Sequence, residues 1–184
     1  MASNDTPGLT PLVSVEQLAA KTGAKPDDDR LKLAAAMASA RFREQTGNPI
    51  SLTEETIVMD SPGCRTLVLP VWPVSDVRDL RIAGNPVDDY EWTHDGMIRA
   101  RDPLPDLWRG ITLTYTHGYD PIPQGIQDVV LEQAQAMVEL LPTVVSYTTG
   151  AESRQYSSAL TVGTTAQWAA MVARYSIGRG ANAG

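Results

Sequence analysis

Ile111-Thr112-Leu113-Thr114-Tyr115-Thr116-His117-Gly118-Tyr119-Asp120-Pro121-Ile122-Pro123 reads as a strand that turns a corner and hands over to a helix. Ile111, Leu113 and Tyr115 alternate with Thr112, Thr114 and Thr116, the period of a half-buried strand. His117 to Pro121 breaks the alternation: Gly118 permits a tight bend, and Pro121 and Pro123 stiffen the exit. Pro123 suits a first helical position, where a missing N–H costs nothing. Ile126, Val129, Val130, Gln133, Ala134, Met137, Leu140 and Leu141 then recur at helical spacing until Pro142 stops the run. The expected centre of the fold is therefore a long helix locked to a strand end, with helices and sheet before it and an arm after it.

Upstream, Val15 to Thr22 predicts a short helix with Ser14 as N-cap, Gln17 in the capping-box position, Val15, Leu18 and Ala19 as its apolar side, and Gly23 as its stop. Asp27, Asp28 and Asp29 lead a second helix, where negative charge suits the N-terminal dipole. Capping explains this acidic run better than a metal site does. Leu31, Ala34, Ala35, Ala38 and Phe42 share one face of that helix, Arg41 and Arg43 fall in its last turn, and Gly47 and Pro49 end it. From Ile50 to Thr116 the period becomes two, with strands expected at Thr56–Met59, Thr66–Leu69, Val77–Ile82, Tyr90–Trp92, Met97–Ala100 and Ile111–Thr116. Ser61-Pro62-Gly63, Pro70 to Pro73 and Gly84-Asn85-Pro86 mark breaks, Asp95-Gly96 predicts a type I′ hairpin, and Asp102 to Gly110 reads as a loop.

The pattern predicts an α+β fold: a small antiparallel helical bundle with an inserted antiparallel sheet and an extended C-terminal arm ending in a short helix. Residues 1–12 are expected to be a flexible segment, 13–142 the helical domain with its β insertion at about 50–116, and 143–184 the arm. Thr143 to Thr164 is rich in Ser, Thr, Gly and Tyr, and Ala166 to Tyr175 forms the short helix, with Trp168, Met171, Val172 and Tyr175 on one side. Tyr and Trp on such an arm need something to bury against, either the domain itself or a partner.

A chain of 184 residues, 42% apolar and 20% charged, fits one soluble domain with termini. No apolar run approaches the roughly 20 residues that span a bilayer. The stretch Met1-Ala2-Ser3-Asn4-Asp5 lacks the basic and apolar regions of a secretory signal, and the single Cys64 points to folding in the cytosol. A net charge of -7 argues against a sequence-independent grip on nucleic acid, which depends on Lys and Arg displacing counterions, although it suits a passage that surrounds DNA without holding it.

No catalytic constellation is legible. His94 lies beside a turn and His117 at the corner, each without a positioned partner; Cys64 follows Ser61-Pro62-Gly63 in a turn, and the sequence nominates no basic partner that would make it a nucleophile. Zinc spacings, P-loops, dinucleotide fingerprints and nucleophile elbows are missing from the sequence, and Asp88-Asp89 reads as a solvated strand end. Neither a metal nor a cofactor is expected.

The order of motifs resembles a known family. A short helix, then the acid-led helix closing in Glu44-Gln45-Thr46-Gly47-Asn48, precedes a sheet containing Leu69-Pro70-Val71-Trp72-Pro73-Val74 and Tyr90-Glu91-Trp92 with Asp95-Gly96-Met97-Ile98-Arg99. Thr114-Tyr115-Thr116-His117-Gly118-Tyr119 with Ile122-Pro123 then enters the third helix, and Gly150-Ala151-Glu152-Ser153-Arg154-Gln155-Tyr156-Ser157 precedes the last. This is similar to the head–tail connector, or adaptor, family of tailed double-stranded DNA phages, over about Val13 to Tyr175. A longer N-terminal segment and the long polar stretch Thr143–Thr164 depart from that pattern.

The resemblance implies a structural virion protein of the neck, made and assembled in the host cytoplasm. Its partners would be further copies in a ring matching the portal's twelvefold symmetry, the portal protein, the next neck protein docked below, and genomic DNA that passes through the lumen without specific binding; no membrane is involved. The ring would extend the DNA channel. Carried over, portal contact falls on Tyr147, Tyr156, Trp168, Met171, Arg174 and Tyr175, and contact with the next neck component or neighbouring subunit falls on the hairpin positions Gly84, Asn85, Asp95 and Gly96. The Ala-rich second helix and the Ile126–Leu141 helix are expected to supply packing surfaces. Another neck or tail-completion protein, a small enzyme or ligand-binding domain, and a DNA-binding regulator stand as alternatives; the second needs a pocket with convergent polar groups, the third a basic recognition helix.

Overall fold

The structure, a computed structural model, describes residues 9–140 and 163–177. In chain order the elements are α1 (Val15–Thr22), α2 (Asp29–Thr46), β1 (Thr53–Pro62), β2 (Thr66–Val68), β3 (Val74–Ile82), β4 (Asn85–Pro86), β5 (Tyr90–Trp92), β6 (Met97–Ala100), β7 (Asp106–His117), α3 (Gln124–Leu140) and α4 (Ala166–Tyr175). The fold is α+β. The described residues form two compact units: a helical one from Thr10–Gln45 and Gln124–Tyr175, and a β unit from Thr46–Pro123, which Ser176 and Ile177 join.

In the helical unit the apolar spacing seen in the sequence becomes burial. Leu31, Ala34, Ala35, Ala38 and Phe42 on α2 are each 0% exposed, and Ile126, Val129, Val130, Gln133, Ala134 and Met137 form the buried face of α3. Ser14 caps α1 in a full capping box with Gln17, and Gly23 ends it at φ 71. Asp28 caps α2, its carboxylate accepting the Arg30 N–H at 2.9 Å and pairing with the Arg30 guanidinium at 2.7 Å. The acidic run thus works at the helix start. α3 packs against both α1 and α4. The 1–12 segment is not loose throughout. Arg43 donates to the Thr10 carbonyl at 2.6 Å, and Ser39 Oγ accepts the Leu12 N–H at 2.9 Å, so Leu12 is 3% exposed. Residues 1–8 lie outside the described residues.

The β unit holds a four-stranded antiparallel sheet in the order β1-β7-β3-β4 and a three-stranded one in the order β2-β6-β5. Ile111, Leu113 and Tyr115, each 0% exposed, meet Val77 and Leu80 from β3 and Leu67 and Ile98 from the smaller sheet in one core. Burial of each aliphatic side chain is worth about 1.5–3 kcal/mol.

Three readings of this region need correction. Asp106 to Gly110 is strand rather than loop: β7 continues past a register shift, pairing Leu107 with Ser61 and Asp106 with Pro62, and the shift hides the alternation. For the same reason Ser61-Pro62 belongs to β1 rather than to a break. The Asp95-Gly96 hairpin exists, but not as a type I′ turn. Gly96 alone takes a left-handed φ, 81, its N–H bonding back to the Thr93 carbonyl at 2.9 Å, which makes a longer loop with one glycine beyond the bend. Two consecutive left-handed residues occur instead at Ala83 (φ 49) and Gly84 (φ 82), which join β3 to β4 between paired Ile82 and Asn85. Alanine rarely takes that conformation, so the pattern of residue types concealed it.

Candidate functional site

The strand–helix corner is closely tied. Gly118, at φ 98, follows β7; its N–H donates to the Pro73 carbonyl at 2.9 Å, and the Tyr119 N–H donates to the Ile50 carbonyl at 2.8 Å. A Cβ on Gly118 would collide with the Ser51 carbonyl group and stand 2.9 Å from the Ile50 oxygen. Ile50, wholly buried, is itself left-handed at φ 65; Asn48 accepts its N–H at 3.0 Å and donates to the Trp72 carbonyl at 3.3 Å.

Beside the corner, β-sheet register builds a polar cluster. Antiparallel pairing of β1 with β7 sets Glu55 opposite Tyr115 and Thr53 opposite His117. Glu55 Oε1 accepts the Tyr115 hydroxyl at 2.8 Å and meets His117 Nε2 at 3.1 Å. The Tyr115 and His117 rings lie 4.8 Å apart. His117 is 1% exposed, and its Nδ1 has no hydrogen-bond partner among the described residues. A neutral imidazole protonated on Nε2 fits both facts: it donates to Glu55 and leaves Nδ1 bare. Burial lowers the His117 pKa against the opposing pull of Glu55, and burial together with Glu55 pushes the Tyr115 phenol up. Glu55 was absent from the sequence reading because only the β1–β7 register reveals it. The cluster spends its hydrogen bonds on holding strands together, and its imidazole is closed to solvent.

His94 and Cys64 are bonded locally. His94 Nδ1 meets the Val74 carbonyl at 3.0 Å, and Cys64 Sγ donates to the Thr66 carbonyl at 3.2 Å. A surface cavity of about 240 Å³ is lined by Arg65, Arg99 and Arg101 together with Asp89 and Glu91. Asp89 and Arg101 pair there at 3.1 Å, an exposed contact worth little. Among the described residues no group of His, Cys, Asp or Glu is arranged to hold a metal, and no helix is long and apolar enough to cross a membrane.

The positions named for partners separate. Trp168 is 2% exposed inside the helical unit, edge-on to Phe42 at 5.2 Å, with its Nε1–H donating to Gln45 Oε1 at 2.7 Å. Met171 is half-buried and lies against Gly125. Arg174 is exposed, stacked 5.7 Å above the half-buried Tyr175 ring. Tyr147 and Tyr156 lie outside the described residues. Gly84, Asn85 and Asp95 are exposed at hairpin tips, whereas Gly96 is buried against Leu69 and Val74. Of the two helices expected to supply packing surfaces, the inner stripes of α2 and α3 are buried inside the unit, whereas the outer side of α2 stays exposed. The sequence reading missed two exposed apolar features. Trp108 on β7 is 84% exposed, and the outer side of α2 carries Leu33 at 51% and Met37 at 45%.

No family model and no curated protein matches the chain. Among solved structures, a chain in the neck of the native GTA particle computed with C12 symmetry superposes with a TM-score of 0.61 at 18% identity, covering 100% of this chain and 96% of that one. A chain in the neck of the empty GTA particle computed with C6 symmetry gives 0.59 at 19% identity, covering 100% and 97%. The chain therefore shares its fold with chains found in particle necks, in keeping with the resemblance that its motif order carries.

Proposed function

We propose that the protein is a ring-forming adaptor of a phage-like virion neck, seated under the portal, extending the DNA channel and offering a platform to the next neck protein. One observation carries this reading: the chain matches neck subunits end to end, both of them from particles treated with rotational symmetry. The role is structural. A ring is built from heterologous contacts, one face of a subunit against a different face of the next. DNA passes through without being held, in keeping with the net charge of -7. Portal docking is assigned to exposed Arg174 and half-buried Tyr175 together with Tyr147 and Tyr156, and Gly84, Asn85 and Asp95 face the neighbouring subunit or the next neck protein. Trp168 and Met171 support the helix that carries Arg174 and Tyr175.

The test is co-sedimentation of the full-length chain with purified portal rings, comparing wild type with Arg174→Glu and with Tyr147→Ala/Tyr156→Ala. Stoichiometric binding weakened at least tenfold by these changes supports the portal-facing assignment. Undiminished binding by all variants removes that assignment. A later neck or tail-completion ring is the second reading, favoured by the same likeness because the matched chains belong to the neck as a whole; it predicts no binding to bare portals.

A further inference from the structure

Trp108 stands on a built projection. β7 pairs Asp106 with Pro62 and Leu107 with Ser61, and its register with β1 shifts next to Asp60. Within that shift Arg109 adopts φ 49, and its N–H is held by Asp60 Oδ1 at 2.6 Å. Gly110 closes the segment so tightly that a Cβ there would lie 2.6 Å from Leu107 Cβ. The backbone is thus fixed, at the expense of a left-handed arginine, in a form that leaves Trp108 84% exposed and Leu107 39% exposed beside it. A large aromatic on a preorganised backbone is the residue type that anchors interfaces.

The helical unit carries a different uncovered feature. α2 is apolar on two sides. One stripe faces its own core; the other, Leu33, Ala36, Met37 and Ala40 at helical spacing, is exposed along its whole length. Ala36 and Ala40 leave a recess beside the larger Leu33 and Met37, and a methionine thioether packs well on an aromatic ring.

We infer that Trp108 of one subunit seats on the Leu33–Ala40 stripe of the next copy, as the anchor of the head-to-tail ring contact. The inference rests on the ring proposed above. A closed ring needs two unlike patches on every subunit, and this chain offers an aromatic knob on one unit and a small-residue groove on the other.

The experiment uses the full-length chain with Cys64→Ser, which removes the exposed native thiol. Trp108→Cys and Met37→Cys are introduced together, and the protein is oxidised alone and on portal rings. A ladder of covalent multimers, missing from each single-cysteine variant, is the expected result. In parallel, Trp108→Ala should lower multimer formation at least tenfold while leaving the thermal midpoint unchanged, since the side chain is exposed. Normal multimers from Trp108→Ala overturn the anchor while leaving the ring intact. Loss of multimers in Trp108→Ala without a ladder in the double variant overturns α2 as the acceptor. A wild-type chain that forms no multimer, alone or on portals, overturns the ring reading and this contact with it.

Discussion

His117 Nε2 lies 3.1 Å from Glu55 Oε1, and the imidazole that makes this contact is 1% exposed. The pair gives stability a defined pH dependence. Burial holds the folded-state pKa of His117 below its ordinary value of 6.5, despite the opposing influence of Glu55. The unfolded chain therefore binds the proton first, so the contribution is complete above about pH 6.5 and is lost as pH falls through the folded pKa. Urea titrations from pH 8 downward should show a decline beginning near pH 6.5 that His117→Asn flattens. An identical decline in the variant would assign it to other groups.

Glu55 serves two donors with one oxygen. Glu55→Ala strands the Tyr115 hydroxyl and His117 Nε2 without an acceptor and should cost about 2–4 kcal/mol, while Glu55→Gln keeps an acceptor and should cost about 1 kcal/mol. Chemical denaturation of both variants measures the difference; equal losses would mean that charge rather than hydrogen bonding dominates.

Gly118→Ala should be among the most damaging single substitutions. It places a Cβ against the Ser51 backbone at a φ of 98, where alanine is strained even in open space. About 3 kcal/mol or more should be lost. A thermal midpoint within a degree or two of wild type would show that the corner opens freely.

Trp168→Ala removes an indole from the helical core and leaves Gln45 without its donor, so about 3–5 kcal/mol should be lost. The same packing means that deleting Thr143 to Gly184 takes away part of the core as well as the arm, so substitution is the cleaner way to probe the portal contact. Trp168→Ala with unchanged stability but lost portal binding would move Trp168 from core to interface.

Much of the fold was legible where periodicity and burial coincide. Leu31, Ala34, Ala35, Ala38 and Phe42, and the Ile126–Met137 series, were read from spacing and are buried as read. Ser14, Gln17 and Gly23 were legible because caps are local chemistry. The failures have physical causes too. Leu107 and Trp108 sit beside a register shift that cancels alternation, and Ala83 takes a conformation that its residue type disfavours. Glu55 meets His117 only through the pairing of strands about sixty residues apart in sequence, and no local pattern encodes that register. Trp168 was read with the arm because its burial depends on Phe42 and Gln45, distant in the chain.

The most direct measurement is electron cryomicroscopy of the full-length protein mixed with purified portal rings. The adaptor reading predicts one closed ring of this chain on one end of each portal, matching the portal's symmetry, with the DNA channel continuing through both. Bare portals beside a well-folded monomer would contradict it and move the chain to a later layer of the neck.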